Sequence, residues 1–258
     1  MFMEERQQEI ALLIEVNGKV TISQISEKYK ISDESARRDL RFLEKQGLCK
    51  RTRGGAIRLS QVNLRSSEDR DFSTMPVFDT YREIAREAAG QIRENDVVYL
   101  CGGSFGYIML SFLPRDIRYT LVVNTVDTGK ELRDFENIDV YVVGGRMRKS
   151  GSMVDSLARD FISRMHFDLC FLTGGGLTAE FGLSNGTDET ASFQRTVLGN
   201  SRKKILLMPG SKIGTNAFIK VCEASSFDQI ITDWDAVEDQ IGALEEAGVI
   251  VTIVEEPK

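Results

Sequence analysis

Histidine is almost missing from this chain: His166 stands alone among 258 residues. That leaves almost no room for a metal site built from several imidazoles, or for a Ser-His-Asp triad. Cysteine is scarce too. Cys49, Cys101, Cys170 and Cys222 lie far apart with no C-x-x-C pair. This speaks against a disulfide framework and against zinc, and it fits a reducing cytoplasm. No segment approaches the roughly 18 uninterrupted apolar residues of a membrane span. The opening MFMEERQQEI is acidic and has no apolar signal region, so neither a membrane location nor export is expected. Neither G-x-x-x-x-G-K-[ST] nor G-x-G-x-x-G occurs, so no nucleotide cofactor is implied.

What is present is 41% apolar and 28% charged, the balance of a soluble globular protein with a core. The length allows one large domain, or a small one plus a medium one. Charge divides the chain. Residues 1–60 hold 12 Lys and Arg against 9 Asp and Glu, a net of +3. The remainder holds 21 against 30, a net of −9, and the two parts give the overall −6. Two parts with different partners are expected.

In the first part, Ile10, Leu13 and Ile14 recur at helical spacing until Asn17-Gly18 stops the run. Thr21-Ile22-Ser23-Gln24 reads as a capping box that opens a short helix through Tyr29, with Ile22, Ile25 and Tyr29 inward. Ser32 is a second N-cap, followed by acidic Asp33 and Glu34. Ala36, Leu40 and Leu43 mark the inner face of this third helix, and Gly47 is its stop. Its outer face presents Ser35, Arg37, Arg38, Arg41 and Lys45. Two short runs then flank Gly54-Gly55, which suggests a basic hairpin carrying Arg51 and Arg53. Three short helices and a hairpin make a winged helix-turn-helix. Such a unit places one helix in the major groove and its wing on phosphate or minor groove. Arg37, Arg38 and Arg41 are expected to clamp backbone and base edges. Asp39 is expected to orient them through local ion pairing.

Residues 31–56 resemble the DNA-binding signature of the DeoR family of bacterial transcriptional regulators. The shared core is Ser32, Arg37-Arg38-Asp39-Leu40, Leu43-Glu44, Gly47 and Gly54-Gly55-Ala56. The chain departs from it with Ser35-Ala36, where the family usually has Thr-Ile, and with Arg53, where His is usual.

Residues 61–79 are polar and aperiodic, which reads as a linker. From Thr80 to the end at 258, apolar runs alternate with helical segments: a helix over 80–95, then strands VVYL, TLVVN, DVYVV, DLCFL, KILLM, QIITD and VIVTIV, with helices over 156–165 and 235–248. The pattern predicts an α/β domain with a mostly parallel sheet covered on both faces. Glycines follow the strands at Gly102-Gly103, Gly144-Gly145, Gly174-Gly175-Gly176 and Gly210. Small ligands bind beyond the C-terminal ends of such strands, where backbone amides cradle anions. Gly102, Gly103, Ser104, Asn124, Thr125, Gly144 and Gly145 are the candidate contacts to an anion or its hydroxyls. Lys212 adds a point charge, and Glu189 accepts from sugar hydroxyls. Each glycine also serves a plain turn.

The resemblance continues here. This part is similar to the family's effector-sensing domain, whose fold is related to ribose-phosphate isomerases and coenzyme A transferases. The landmarks are Gly103-Ser104, Asn124, Gly144-Gly145, Gly182-Leu183, Glu189, Ser211-Lys212 and Ile231-Thr232-Asp233. The family usually has Asp where this chain has Cys101 and Pro209. Two acceptors for sugar hydroxyls are thus absent, pointing either to a different ligand or to impaired sensing. The resemblance implies a repressor of a carbohydrate-metabolism operon, with double-stranded operator DNA and a phosphorylated sugar or similar small anion as partners. A homodimer or homotetramer is expected, since paired units read repeated half-sites. Two other readings stand beside it: a sugar-phosphate isomerase-like enzyme using Glu189, Asp188 and Lys212, and a DNA-binding protein with no effector.

Overall fold

The computed structural model describes residues 3–46, 48–52, 54–57 and 78–257. Two compact units divide near residue 61. The expected linker falls almost wholly outside the described residues, as do Gly47 and Arg53.

The first unit runs α1 (Met3–Asn17), β1 (Lys19–Thr21), α2 (Ile22–Tyr29), α3 (Asp33–Lys45), β2 (Lys50–Arg51) and β3 (Gly55–Ile57). Its core gathers Ile10, Ile14, Val20, Ile22, Ile25, Ala36, Leu40, Leu43, Cys49 and Ala56. The capping box at α2 is reciprocal. The Gln24 backbone N–H donates to Thr21 Oγ1 at 3.1 Å, and the Thr21 N–H donates to Gln24 Oε1 at 2.8 Å. Lys30, at φ 51°, ends α2 in the left-handed region, and Ser32 caps α3 two residues later.

Two expectations are corrected. The basic hairpin is the outer part of a three-stranded sheet in the order β1-β3-β2. Its third strand, just after Gly18, pairs antiparallel with β3 from Lys19↔Ile57 to Thr21↔Gly55. Asp39 does not orient the arginines of α3. It is fully buried on the inner face and accepts hydrogen bonds from Arg6 Nε at 2.8 Å and Gln7 Nε2 at 2.9 Å, both on α1.

The second unit is an α/β sandwich. Its elements are α4 (Asp79–Ala89), β4 (Val97–Leu100), α5 (Ser104–Met109), β5 (Tyr119–Val123), α6 (Val126–Glu131), β6 (Ile138–Val142), α7 (Ser156–Ile162), β7 (Phe167–Leu172), β8 (Gly176–Thr178), β9 (Gly182–Asn185), α8 (Asp188–Gly199), β10 (Ser201–Leu207), β11 (Ile219–Cys222), β12 (Gln229–Thr232), α9 (Glu238–Glu246) and β13 (Ile250–Ile253). Helix α4 stops at Ala89 rather than running to 95, because Gly90 follows and Gln91 and Ile92 fold back onto Ala88 and Ala89. Seven strands form a parallel sheet in the order β13-β12-β10-β7-β4-β5-β6. Strands β8, β9 and β11 form a small antiparallel sheet beside it.

The central strands read as apolar runs because both faces are covered. Tyr99 of β4 is buried between Phe167 of β7 and Phe193 of α8, with ring centroids at 5.7 and 6.1 Å. Burying one such side chain contributes about 1.5–3 kcal/mol. After β4 the chain builds outward through β5 and β6, then crosses to the other side of β4 to lay down β7. The order therefore reverses between β4 and β7, and the crevice of this fold class opens at the C-terminal ends of those two strands.

Candidate functional site

The first surface is α3. Arg37, Arg38, Arg41 and Lys45 follow one another at i, i+1, i+4 and i+8, forming one exposed stripe opposite the buried Ala36, Leu40 and Leu43. Among the described residues, Arg37, Arg38 and Lys45 form no ion pair. Arg41 Nη2 meets Glu34 Oε1 at 2.6 Å on the surface. Such exposed pairs contribute about 0–1 kcal/mol, so a phosphate can replace the carboxylate at little cost. Ser32 and Ser35 lie at the N-terminal end, their hydroxyls 3.1 Å apart.

The wing divides its predicted residues between two roles. Arg51 is a strut: its N–H donates to Glu44 Oε1 at 2.9 Å, and its Nε lies 3.2 Å from Glu44 Oε2. Gly55 is buried, and a Cβ there would sit 1.9 Å from the Val20 carbonyl oxygen, so β1 itself demands glycine. Gly54 is exposed with nothing within 4 Å of a Cβ, and its carbonyl accepts from Ile22 N–H at 2.8 Å.

The second site lies at the C-terminal edge of the parallel sheet, and the structure assembles its predicted residues only in part. The Gly102 N–H donates to Asn124 Oδ1 at 3.0 Å, and a Cβ on Gly102 would strike Thr125. Asn124 is buried, and its amide donates to the Met153 carbonyl at 3.2 Å. Thr125 is buried as well and donates to Thr128 Oγ1 at 2.7 Å. The side chains of Asn124 and Thr125, expected as ligand contacts, thus hold the loops together. Gly103 has φ 92° where the chain turns into α5, with Ser104 its first residue. Gly144 is open, whereas Gly145, at φ 147°, packs against Asp155 and Ala158. Lys212 Nζ donates to the Gly174 carbonyl in the loop after β7 at 3.3 Å. Cys101 is buried, and burial pushes its thiol up to about 12, so it stays protonated and offers no carboxylate-like acceptor.

Glu189 leads to the part the sequence reading missed. In the first turn of α8, it meets Arg148 Nη2 at 2.5 Å and Arg146 Nη2 at 3.4 Å. Arg148, largely buried, also donates from Nη1 to Thr190 Oγ1 at 3.0 Å. Both arginines lie on the loop after β6. That loop is tied down by Arg148 N–H to the Ser152 carbonyl, Gly151 N–H to the Arg148 carbonyl, Val126 N–H to the Gly151 carbonyl and Met153 N–H to the Asn124 carbonyl, all at 2.9–3.1 Å. Next to Glu189 opens a cavity of about 330 Å³ lined by Arg146, Val154, Asp155, Ser156, Arg159, Asp188, Glu189 and Ser192. The signal lay in Arg146-Met147-Arg148-Lys149, a basic run directly after Gly144-Gly145 in an acidic domain.

Comparison with known proteins matches residues 79–234 to the DeoR C terminal sensor domain and residues 6–62 to the DeoR-like helix-turn-helix domain. The chain is similar to the uncharacterized HTH-type transcriptional regulator YulB of Bacillus subtilis, 29% identical over 257 residues and 98% of each chain. It is similar to the lactose phosphotransferase system repressor of Streptococcus mutans, 28% identical over 239 residues, covering 90% of this chain and 93% of that one. Among solved structures, ribose 5-phosphate isomerase A from Methanocaldococcus jannaschii aligns with a TM-score of 0.38 at 14% identity, over 51% of this chain and 52% of that one.

Proposed function

The chain belongs to the DeoR family of helix-turn-helix transcriptional regulators, and from that premise we propose that it represses a carbohydrate-metabolism operon and releases or tightens its operator in response to a phosphorylated sugar or similar small anion. The observation that carries the DNA half is the stripe of Arg37, Arg38, Arg41 and Lys45, capped by Ser32 and set on a buried core. Arginine forks match phosphates and guanine edges, and an otherwise acidic chain concentrates them here. The effector half is supported by the glycine-lined loops at the C-terminal edge of the sheet, with Gly102, Gly103, Ser104, Gly144, Gly145, Glu189 and Lys212 around them. The repressor named for a lactose phosphotransferase system in Streptococcus mutans makes a sugar-linked operon the natural assignment. On this reading the chain works in the cytoplasm as a homodimer or homotetramer, and the sensor domain binds its ligand without turning it over.

The test selects a binding site from random duplex DNA with the full chain, then follows that complex by fluorescence anisotropy as sugar phosphates are added. Selective binding that changes with at least one of them is expected. Recovery of no preferred duplex overturns the DNA assignment. A complex indifferent to every sugar phosphate overturns the effector assignment and leaves an effector-independent binder.

A further inference from the structure

Strand β6 closes one edge of the parallel sheet, and among the described residues no strand lies beyond it. Its register with β5 sets which backbone groups it spends. The Asn137 carbonyl accepts the Tyr119 N–H of β5, and the Val143 N–H donates to the Val123 carbonyl. Alternation therefore turns the N–H and C=O of Ile138, Val140 and Val142 away from β5. Native sheets blunt such an edge with lysine, proline or a bulge. Strand β6 has no lysine or proline, and it pairs with β5 in unbroken register. Instead it shows apolar surface on both faces of the sheet. Tyr141 is 52% exposed on one face. Val142 is 43% exposed on the other, where Gly129 of α6 packs against it and Val126 of the same helix is exposed too.

The opposite edge, β13, is built differently. Glu255, Glu256 and Pro257 follow it, and Glu245 and Glu246 end the helix before it. Antiparallel pairing of two β13 edges would bring those acidic ends together. Strand β6 carries one charge, Asp139. Two β6 strands related by a two-fold axis through Val140 set Tyr141 of one copy opposite Asp139 of the other, where the phenol can donate to the carboxylate. The two Val140 residues then exchange N–H···O bonds, and the Val142 N–H of each copy meets the Ile138 carbonyl of the other. An axis through Asp139 would set two carboxylates face to face, and one through Tyr141 would leave each Asp139 opposite Val143. The edge is thus self-complementary in charge and in hydrogen bonding, as an isologous contact requires.

We propose that a second copy of this chain docks on β6, edge to edge and antiparallel, with the axis through Val140, so that two parallel sheets join into one. The proposal rests on the reading of the chain as a homodimer or homotetramer, and it gives that assembly a surface and a register.

The test measures self-association of the full chain by sedimentation equilibrium, for the unaltered protein, for Val140→Pro and Tyr141→Glu on this edge, and for Ile253→Glu on the other. Val140→Pro removes an outward N–H and spares the bonds to β5, and Tyr141→Glu alters an exposed side chain. Circular dichroism and melting curves check that both fold. Each should weaken self-association about tenfold or more, Tyr141→Glu because it sets two carboxylates opposite each other, while Ile253→Glu should not. Adding Asp139→Lys to Tyr141→Glu should restore the association, because the opposed pair then carries opposite charges. Val140→Cys should cross-link two copies on mild oxidation, since opposed residues of such a pair lie about 5.5 Å apart at Cα, within disulfide reach. An oligomer as tight in Val140→Pro and Tyr141→Glu as in the unaltered chain, with no Val140→Cys cross-link, overturns the β6 seam and leaves the oligomer reading standing. A chain that sediments as a monomer at micromolar concentration, with and without its selected operator, overturns both.

Discussion

Arg148 Nη2 and Glu189 Oε2 lie 2.5 Å apart, which fastens the loop after β6 to the first turn of α8. Arg146 reaches the same carboxylate. Glu189 thereby offsets part of the charge of two guanidinium groups that would otherwise attract any small anion. Glu189→Ala should tighten binding of inorganic phosphate severalfold while reducing the preference for a phosphorylated sugar over phosphate. Calorimetry of both ligands with both proteins checks this, and unchanged phosphate affinity counts against it.

Arg37→Ala and Arg38→Ala should each weaken operator binding. Each lost phosphate contact should lower the slope of log affinity against log salt by about 1. Arg41→Ala should do less, because Arg41 gives up a surface pair with Glu34 when it binds. Anisotropy titrations across a salt series measure all three. Two wild-type curves for Arg37→Ala and Arg38→Ala would show that α3 is not the DNA-contacting helix.

Asp39→Ala should destabilise the first unit by about 3 kcal/mol, since it strips a buried carboxylate from Arg6 and Gln7 and leaves their donors unmatched. The arginines of α3 remain, yet operator binding should fall. Hydrogen exchange should locate the loss of protection in α1 and α3, with β4, β7 and β10 unaffected.

The two wing glycines should respond oppositely. Gly55→Ala pushes a methyl group into the Val20 carbonyl and should separate β1 from β3, abolishing DNA binding. Gly54→Ala has open space and should fold normally. Melting curves and anisotropy on the pair decide this, and similar behaviour of the two variants would contradict the β1-β3 contact.

Burial raises the thiols of Cys101 and Cys170 to about 12 and those of Cys49 and Cys222 to about 11. In the unfolded chain such thiols titrate near about 8.5. The unfolded state therefore gives up these protons first as pH rises. The stability they lend is complete below about pH 8.5 and is lost progressively from there toward the folded values. Denaturation midpoints should fall from about pH 9 upward, and more gently in Cys101→Ala. Below that range iodoacetamide should label Cys222 first, as it is the least buried of the four.

Much of this architecture is written locally. Thr21 with Gln24, and Ser32 before Asp33 and Glu34, are short-range hydrogen-bond and charge patterns, so both helix starts could be read directly. The apolar runs of β4, β7 and β10 likewise announce a doubly covered sheet. What escaped depends on contacts distant in sequence. Asp39 looks like one more surface charge in a basic helix until Arg6 and Gln7 are placed beside it. The strand of Lys19–Thr21 is too short to show a period, and it exists because β3 pairs with it. Strands β8, β9 and β11 are short and glycine-punctuated, and they read as loop ends. In the sensor domain, Asn124 and Thr125 have the right chemistry for a ligand, but their neighbours use it. Arg146 and Arg159 come to line one cavity only because the loop after β6 and α7 face the same space.

The loop that carries Arg146 and Arg148 is already fastened, before any ligand arrives, at Asn124, Gly151 and Ser152. Capture of a small molecule beside it requires no backbone to be ordered, and only exposed side chains such as Arg146 need settle into place. Rotamer changes of exposed side chains of that kind take picoseconds to nanoseconds. On the proposed function, no slow ordering of this loop then stands between ligand arrival and occupancy, and the observed binding rate should rise linearly with ligand concentration in a stopped-flow titration.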